Sequence, residues 1–345
     1  MFLSIIITVY NIPEEFLREC IESCLHQNID KSDYEIICVN DGSTNNSLLI
    51  LREYESKNIN VRLLSQENMG ISGARNSGIK IAQGDYVWFV DGDDYIADNS
   101  LGKLKDIAFG MNVDRLHLGR YHFIESLSNE KRKAYKNGSL KTNHRVDTIF
   151  ATSSLYKRCF LKENHLSFRC EMKMAEDLVF NFEVDQIIHT ESKVDDIFYF
   201  YRILENSLSH NSNKVLFAQK FIEAHLTGCK IVKNYYDNNT VKKIKTIRYL
   251  HNDLGQVMIK ISYLNFDEAR KHLKDILDSR LVPYKKWCSK GMSLTLYTNI
   301  YSFFLASVCR LSTVRVFFWV IRVYEKIWSS KIKKRVEKYV KNKFG

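Results

Sequence analysis

The sequence predicts an α/β protein: a mainly parallel sheet with helices on both faces, followed by a helical C-terminal extension. Three observations predict it. Short apolar runs alternate with helix-spaced segments through the first hundred residues, in βαβαβαβ order. The runs are nearly continuous, as expected of strands covered on both faces. Polar clusters follow the runs, where open parallel sheets place their ligands.

LSIIITV (3–9) is the first strand, and Phe16 to Leu25 has helical spacing with Phe16, Leu17, Cys20, Ile21, Cys24 and Leu25 on one side. EIICVN (35–40) is a strand closed by Asp41-Gly42-Ser43-Thr44, and Leu48 to Tyr54 is a helix. INVRLLS (59–65) is a third strand. A helix follows Asn68-Met69-Gly70, with Ile71, Ala74, Ile79 and Ala82 apolar, and Tyr86 to Val90 is a fourth strand. Residues 110 to 150 read as irregular strands and turns, with Asn137-Gly138 a hairpin turn. Ser153 to Asn164 and residues 172–188 read as helices, FYFYR (198–202) as a short strand, and residues from about Val215 onward as helical. The expected division is 1–212 for the sheet domain, 213–309 for a helical region and 310–345 for a basic tail.

Composition narrows the function. With 45% hydrophobic residues and two prolines, the chain has material for a core and no sign of a disordered linker. Eight scattered cysteines, without CxxC pairs, read as reduced, buried thiols of a cytosolic protein. Net charge is +11, of which +9 falls between Arg310 and Gly345. The body is nearly balanced, which argues against a nucleic-acid-binding protein; salt-dependent retention of the body on DNA would be its signature. MFLSIIITVYN lacks the basic start of a signal peptide. Met292 to Cys309 is uncharged but carries six Ser, Thr and Asn residues, so a buried or interfacial helix is expected rather than a membrane span.

The chemistry concentrates at Asp91-Gly92-Asp93-Asp94. In an extended chain Asp91 and Asp93 point to one side and Asp94 to the other. Two carboxylates on one side suit a hard divalent cation, Mg²⁺ or Mn²⁺, and Gly92 lets a ligand approach the backbone. A hairpin turn would not need three acids. Neither GxxxxGK[ST] nor GxGxxG occurs, which weakens kinase, NTPase and dehydrogenase readings. Glu176-Asp177 opens a helix, where acids favour the macrodipole. Adjacent helical residues project about 100° apart, so the two are not expected to aim at one acceptor.

Four segments in order, SIIITVYN (4–11), EIICVNDGST (35–44), ENMGISGARNSGIKIAQGDYVWFVDGDD (67–94) and AEDLVFN (175–181), resemble glycosyltransferase family 2. The resemblance spans roughly residues 1 to 210. It implies a GT-A fold, Rossmann-like, and an inverting enzyme that uses a nucleotide-sugar donor and Mn²⁺ or Mg²⁺. Carried over, Thr8, Tyr10 and Asn11 would line the base pocket, Asp41 would hydrogen-bond the base, and Arg75 would lie near base and pyrophosphate, beside Gly70. Asp91 would contact the ribose directly or through the metal, with Gly92 next to it, and Asp93 would be the main metal ligand. Asp177 would be the general base, with Glu176 orienting or binding acceptor. His210 would return to the diphosphate and the metal, and Arg202 and Ser207 would contact phosphate or donor sugar. The chain departs from the family at Thr8, where Pro is common, at Asn40, where Asp is common, and at Gly92, where Ser is common.

The implied function is transfer of one sugar from a nucleotide-diphosphate donor, with UDP favoured over GDP or dTDP, to a glycan or lipid-linked acceptor. Bacterial surface-polysaccharide assembly is the expected setting. A metal-dependent sugar nucleotidyltransferase is the nearest chemical alternative; its usual glycine-rich basic loop is replaced here by the acidic TVYNIPEEF (8–16). In the tail, cations at 315, 322, 326 and 333 form one helical stripe beside aromatic and aliphatic residues. That pattern suits an amphipathic helix on the anionic inner face of the cytoplasmic membrane.

Overall fold

The computed structural model describes residues 1–124, 150–172, 174–202 and 214–237, together with Val257, Ile261, Leu264, Glu268, Lys271 and His272. The chain divides into two units, Met1–Asn211 with Thr240–Thr246 and Ser212–Asn239 with Ile247–Gly345. Asn137-Gly138, Ser207, His210, Met292 to Cys309 and the basic tail lie outside the described residues.

The first unit alternates β1 (Leu3–Val9), α1 (Glu14–Leu25), β2 (Tyr34–Asp41), α2 (Ser47–Lys57), β3 (Val61–Gln66), α3 (Gly70–Ile81) and β4 (Tyr86–Asp91). After β4 come β5 (Tyr95–Ile96), α4 (Leu101–Met111), β6 (Arg115–Ile124), a 3-10 turn at Ala151–Ser153 and β7 (Ser154–Lys157). The unit then runs through α5 (Arg158–Glu163), α6 (Glu176–Ile187) and β8 (Glu191–Arg202). One sheet holds all of these strands, in the order β3-β2-β1-β4-β7-β6-β8-β5. β1 pairs in parallel with both β2 and β4. The chain therefore winds outward from β1 in both directions, and the crevice beyond its C-terminal end is the switch point of the sheet.

The apolar runs fold as strands because both of their faces are covered. Ile5, Ile7, Ile36, Cys38, Trp88 and Val90 pack on one side of the sheet with α1 and α4 residues such as Leu17, Cys20, Leu101 and Leu104. The alternate residues Ile6, Ile37, Val39, Val87 and Phe89 pack on the other side with Ala74, Phe160, Phe168, Phe180 and Val184. Phe168 and Phe180 stack at 4.0 Å between ring centroids, and Phe89 meets both edge-on. This aromatic cluster sets α6 against the sheet.

The structure corrects several sequence expectations. Ser154–Lys157 is a strand, antiparallel to β4 and β6, and the helix of that segment starts only at Arg158. Its burial between two strands overrides local helical spacing. α4 was hidden by Gly102 and Gly110, although Leu101, Leu104 and Ala108 keep helical intervals and left-handed Asn112 ends the helix. α6 begins at Glu176 rather than at 172, because Ala175 is left-handed at φ 59°. β8 starts at Glu191, since its charged first half pairs with β6. Of the cysteines, Cys20, Cys24 and Cys38 are buried thiols, whereas Cys159 and Cys170 are exposed.

The second unit contains α7 (Lys214–Asp237), which buries Ala218, Ile222 and Leu226. Gln219 donates to Glu268 at 2.7 Å. Among the described residues no helix is long and apolar enough to cross a membrane.

Candidate active site

The C-terminal ends of β1, β2 and β4 form one rim. Tyr10 follows β1 and is half exposed, its ring available for stacking. Asn11 is left-handed at φ 53° and ties the first loop to the second: its Oδ1 accepts from the Thr44 N–H at 2.8 Å, and its own N–H donates to Ser43 Oγ at 3.1 Å. Asp41 closes β2. Its Oδ1 accepts from Gln66 Nε2 at 2.7 Å and from the Met69 N–H at 2.9 Å. Gly42 has φ 72°, and an added Cβ would lie 2.8 Å from Asn68 N, so the turn needs glycine for both reasons. Gly70 opens α3 at φ 77°, with open space where a Cβ would stand.

The family departures have local reasons. Asn40 is buried, donating to Ser65 Oγ at 3.0 Å and accepting from the Ser43 N–H at 3.4 Å. Thr8 and Gly92 are neighbours: the Gly92 N–H donates to the Thr8 carbonyl at 3.2 Å, and a Cβ at 92 would lie 2.9 Å from that oxygen. A larger residue there would have to move one of the two loops.

Arg75 is the centre of the acidic end. The resemblance placed it near base and pyrophosphate; in the structure it is 1% exposed and shared among three carboxylates. Its Nη2 donates to Asp91 at 3.0 Å, and its Nη1 donates to Asp177 at 2.5 Å and Glu176 at 3.0 Å. Glu176 and Asp177 thus converge on one nitrogen, contrary to the expectation from helical spacing. Glutamate reaches one methylene further than aspartate, and left-handed Ala175 turns the chain sharply just before both. The guanidinium also lies over the Phe168 ring, 5.1 Å from its centroid.

One cation cannot neutralise three carboxylates in a buried place. Burial pushes the Asp177 carboxyl up to about 7, helped by the charges of Glu176 and Asp91 and opposed by Arg75 and the Ala151 N–H. The same carboxylates hold the Arg75 pKa above its ordinary value despite burial. Asp177 remains 20% exposed, so a ligand can reach it.

Asp93 is raised to about 6, by burial first and then by the charge of Asp91. Its own backbone N–H and the Arg202 charge oppose the rise. Such a group, beside a second carboxylate, fits a hard divalent cation. Among the described residues no group of three His, Cys, Asp or Glu side chains converges for metal binding. Two protein carboxylates plus ligand phosphates and water is the donor set expected for Mg²⁺.

Contrary to the expectation from the sequence, the chain does not stay extended past Asp91: it turns, with the Asp94 N–H donating to the Asp91 carbonyl at 3.0 Å, and Asp94 is buried. Its carboxylate accepts from Tyr199 Oη at 2.6 Å and from the Arg202 N–H at 2.7 Å. Arg202 is 5% exposed and pairs with Glu19, which does not match a phosphate contact. The sequence reading missed Gln66, Asn76 and Tyr199. Asn76 bonds the Phe168 main chain in both directions at 2.8 Å, fixing the loop under the aromatic cluster. Only the alternating FYFYR pattern hinted at Tyr199.

Comparison with known proteins adds three findings. Residues 4–163 match the model of glycosyl transferase family 2. The chain is 37% identical over 212 residues to a poly(ribitol-phosphate) beta-glucosyltransferase of Bacillus spizizenii, covering 59% of this chain and 32% of that protein. It is 34% identical over 222 residues to the uncharacterized glycosyltransferase EpsJ of Bacillus subtilis, covering 60% and 62%. The chain thus spans about a third of the first relative and under two thirds of the second. A crystal structure of S. aureus TarS 1-349 in complex with UDP-GlcNAc superposes with a TM-score of 0.51 at 19% identity, over 81% of this chain and 90% of that one. At that identity the likeness concerns the fold alone.

Proposed function

We propose, from the match of residues 4–163 to the model of glycosyl transferase family 2, that this GT-A protein is an inverting glycosyltransferase that moves a sugar from a UDP-sugar to a polymeric or lipid-linked acceptor of the bacterial cell surface. One observation carries the reading. Arg75 gathers Asp91, from the rim where a nucleotide would lie, and Glu176-Asp177, from the start of α6, into one cluster. A donor-side carboxylate and a base are thereby held on opposite arms of one side chain. The relatives support the substrate classes: one is a poly(ribitol-phosphate) beta-glucosyltransferase, and TarS was crystallised with UDP-GlcNAc.

In this reading the base stacks on Tyr10 and donates an N–H to Asp41, whose orientation Gln66 and the Met69 N–H fix. Asp91 and Asp93 would hold Mn²⁺ or Mg²⁺, which supplies positive charge against the diphosphate. Asp177 takes the proton from the acceptor hydroxyl as the acceptor oxygen bonds to C1 and the C1–O bond to the nucleoside diphosphate breaks on the opposite face, releasing UDP. Glu176 and Arg75 orient Asp177. His210 would be a further ligand from outside the described residues.

Thermal unfolding with nucleoside diphosphates in Mn²⁺ or EDTA tests the donor site. UDP is expected to raise the melting temperature of the wild type in Mn²⁺, and Asp93→Ala is expected to abolish the metal-dependent part. Absence of stabilisation by any nucleotide would reject the donor site.

The tail of residues 310–345 is proposed to dock on the anionic inner face of the cytoplasmic membrane, on its charge of +9 and its cationic stripe. Each Lys or Arg near such a surface contributes about 1 kcal/mol. A chain truncated after residue 290 is expected to move from the membrane fraction to the supernatant; persistence in the membrane fraction would reject the tail as the anchor.

A further inference from the structure

We propose that β8 builds the cation site: Tyr199 and Arg202 are positioning residues that fix Asp91 and Asp93, and Asp94 is their anchor rather than a cation ligand. The proposal rests on the donor-site reading above.

The acidic turn is unfavourable as a free loop. Asp91 and Asp93 repel each other, and Gly92 between them leaves the backbone free to separate them. A small hard cation demands oxygens at fixed distances, so the turn must be held before the cation arrives. β8 supplies the hold at three residues. The Tyr199 hydroxyl accepts from the Asp91 N–H at 3.2 Å and donates to Asp94 Oδ2 at 2.6 Å. The Arg202 N–H donates to Asp94 Oδ1 at 2.7 Å, and Arg202 Nε donates to the Asp93 carbonyl at 2.8 Å.

These pins are themselves fixed. Arg202 Nη2 donates to Glu19 at 2.5 Å, and its guanidinium lies 4.2 Å from the Phe16 ring centroid. Downstream of the turn, β5 pairs with β8 through Tyr95 opposite Phe200, whose rings stack at 4.6 Å. Both Asp94 oxygens are used and the residue is 1% exposed, so it has no access to a cation. The third acid of the run therefore serves the other two: it joins the turn to β8, leaving Asp91 and Asp93 partly exposed.

The test separates cation placement from general stability. In Tyr199→Phe the ring stays and only the hydroxyl is lost. UDP affinity is measured by calorimetry in EDTA and across a Mn²⁺ titration. The Mn²⁺ concentration for half-maximal enhancement is expected to rise about 10-fold, the scale of outer-shell effects at metal sites, with UDP affinity in EDTA unchanged. Arg202→Lys keeps a charge facing Glu19 but loses the bond to the Asp93 carbonyl; it is judged by the same criterion, and stands alone if Tyr199→Phe does not fold. An unchanged Mn²⁺ midpoint in the folded variants, with the Mn²⁺ response lost in Asp93→Ala, would overturn the positioning role and leave the donor site standing. A wild type whose UDP binding ignores Mn²⁺ would overturn both.

Discussion

Asp177→Asn is expected to lower turnover by about 10²–10⁴-fold, the usual contribution of a positioned base, while UDP binding in Mn²⁺ stays near that of the wild type. Asparagine has nearly the same shape, and its carbonyl can still accept from Arg75 Nη1, so the geometry of the cluster is kept and basicity alone is lost. The pH profile gives a second signature. The Asp177 pKa stands at about 7, raised mainly by burial. Because the proposed base works deprotonated, kcat/KM of the wild type is expected to rise through about pH 7, and that limb is expected to vanish in Asp177→Asn. Stability runs the other way. A carboxyl raised from 3.8 to about 7 on folding binds more protons in the folded state, so its ionisation removes stability as pH increases between those values. Asparagine carries no charge at any pH, so Asp177→Asn is expected to melt at or above the wild-type temperature at pH 8. Near-normal turnover in a folded Asp177→Asn protein would reduce the residue to a binding role.

The distinction between local and long-range information explains what the sequence disclosed. LSIIITV and YVWFVD are strands wherever they sit, because only a sheet covered on both sides buries every residue of such runs. Their polar ends then mark the rim, which is why Tyr10, Asp41, Asp91 and Asp93 could be singled out without coordinates. The partners of those residues lie far along the chain. Arg75 meets Asp177 across 102 residues and Tyr199 meets Asp94 across 105, and no spacing rule encodes either pair. For that reason the convergence of Glu176 and Asp177 on one nitrogen was not foreseen. Nor was the strand at Ser154–Lys157, whose conformation is set by β4 and β6 on either side rather than by its own four residues. Ala175 is the remaining case. Alanine gives no sign of a left-handed backbone, a conformation costing roughly 1–2 kcal/mol, and the Arg75 ion pairs beside it are the compensation visible in the structure.

Arg75→Met is expected to destabilise the protein by roughly 3–5 kcal/mol at pH 8, the scale for removing one partner from a buried ion pair. Methionine fills most of the space beside Phe168, so the loss measured is mainly electrostatic. Asp91, Glu176 and Asp177 would then share a buried place with no cation, and Asp177, already raised with Arg75 in place, would hold its proton more tightly still. The folded state then binds more protons than the unfolded one, so stability falls as pH rises. The window opens near the ordinary carboxylate value of about 4 and extends beyond the wild-type Asp177 value of about 7. Urea unfolding at pH 5 and pH 8 measures this: the gap between Arg75→Met and the wild type should narrow at pH 5. Equal stability at pH 8 would mean that the three carboxylates do not depend on Arg75. Arg75→Lys isolates geometry from charge. An ammonium keeps the positive charge but cannot hold Asp91 on one arm and Glu176 with Asp177 on the other. That variant is expected to fold yet to lose about 10²-fold in turnover, the scale of a 1 Å misplacement of a reacting group. The guanidinium fork thus matters for more than its charge: it sets the distance between Asp91 and Asp177, the carboxylates proposed to face donor and acceptor.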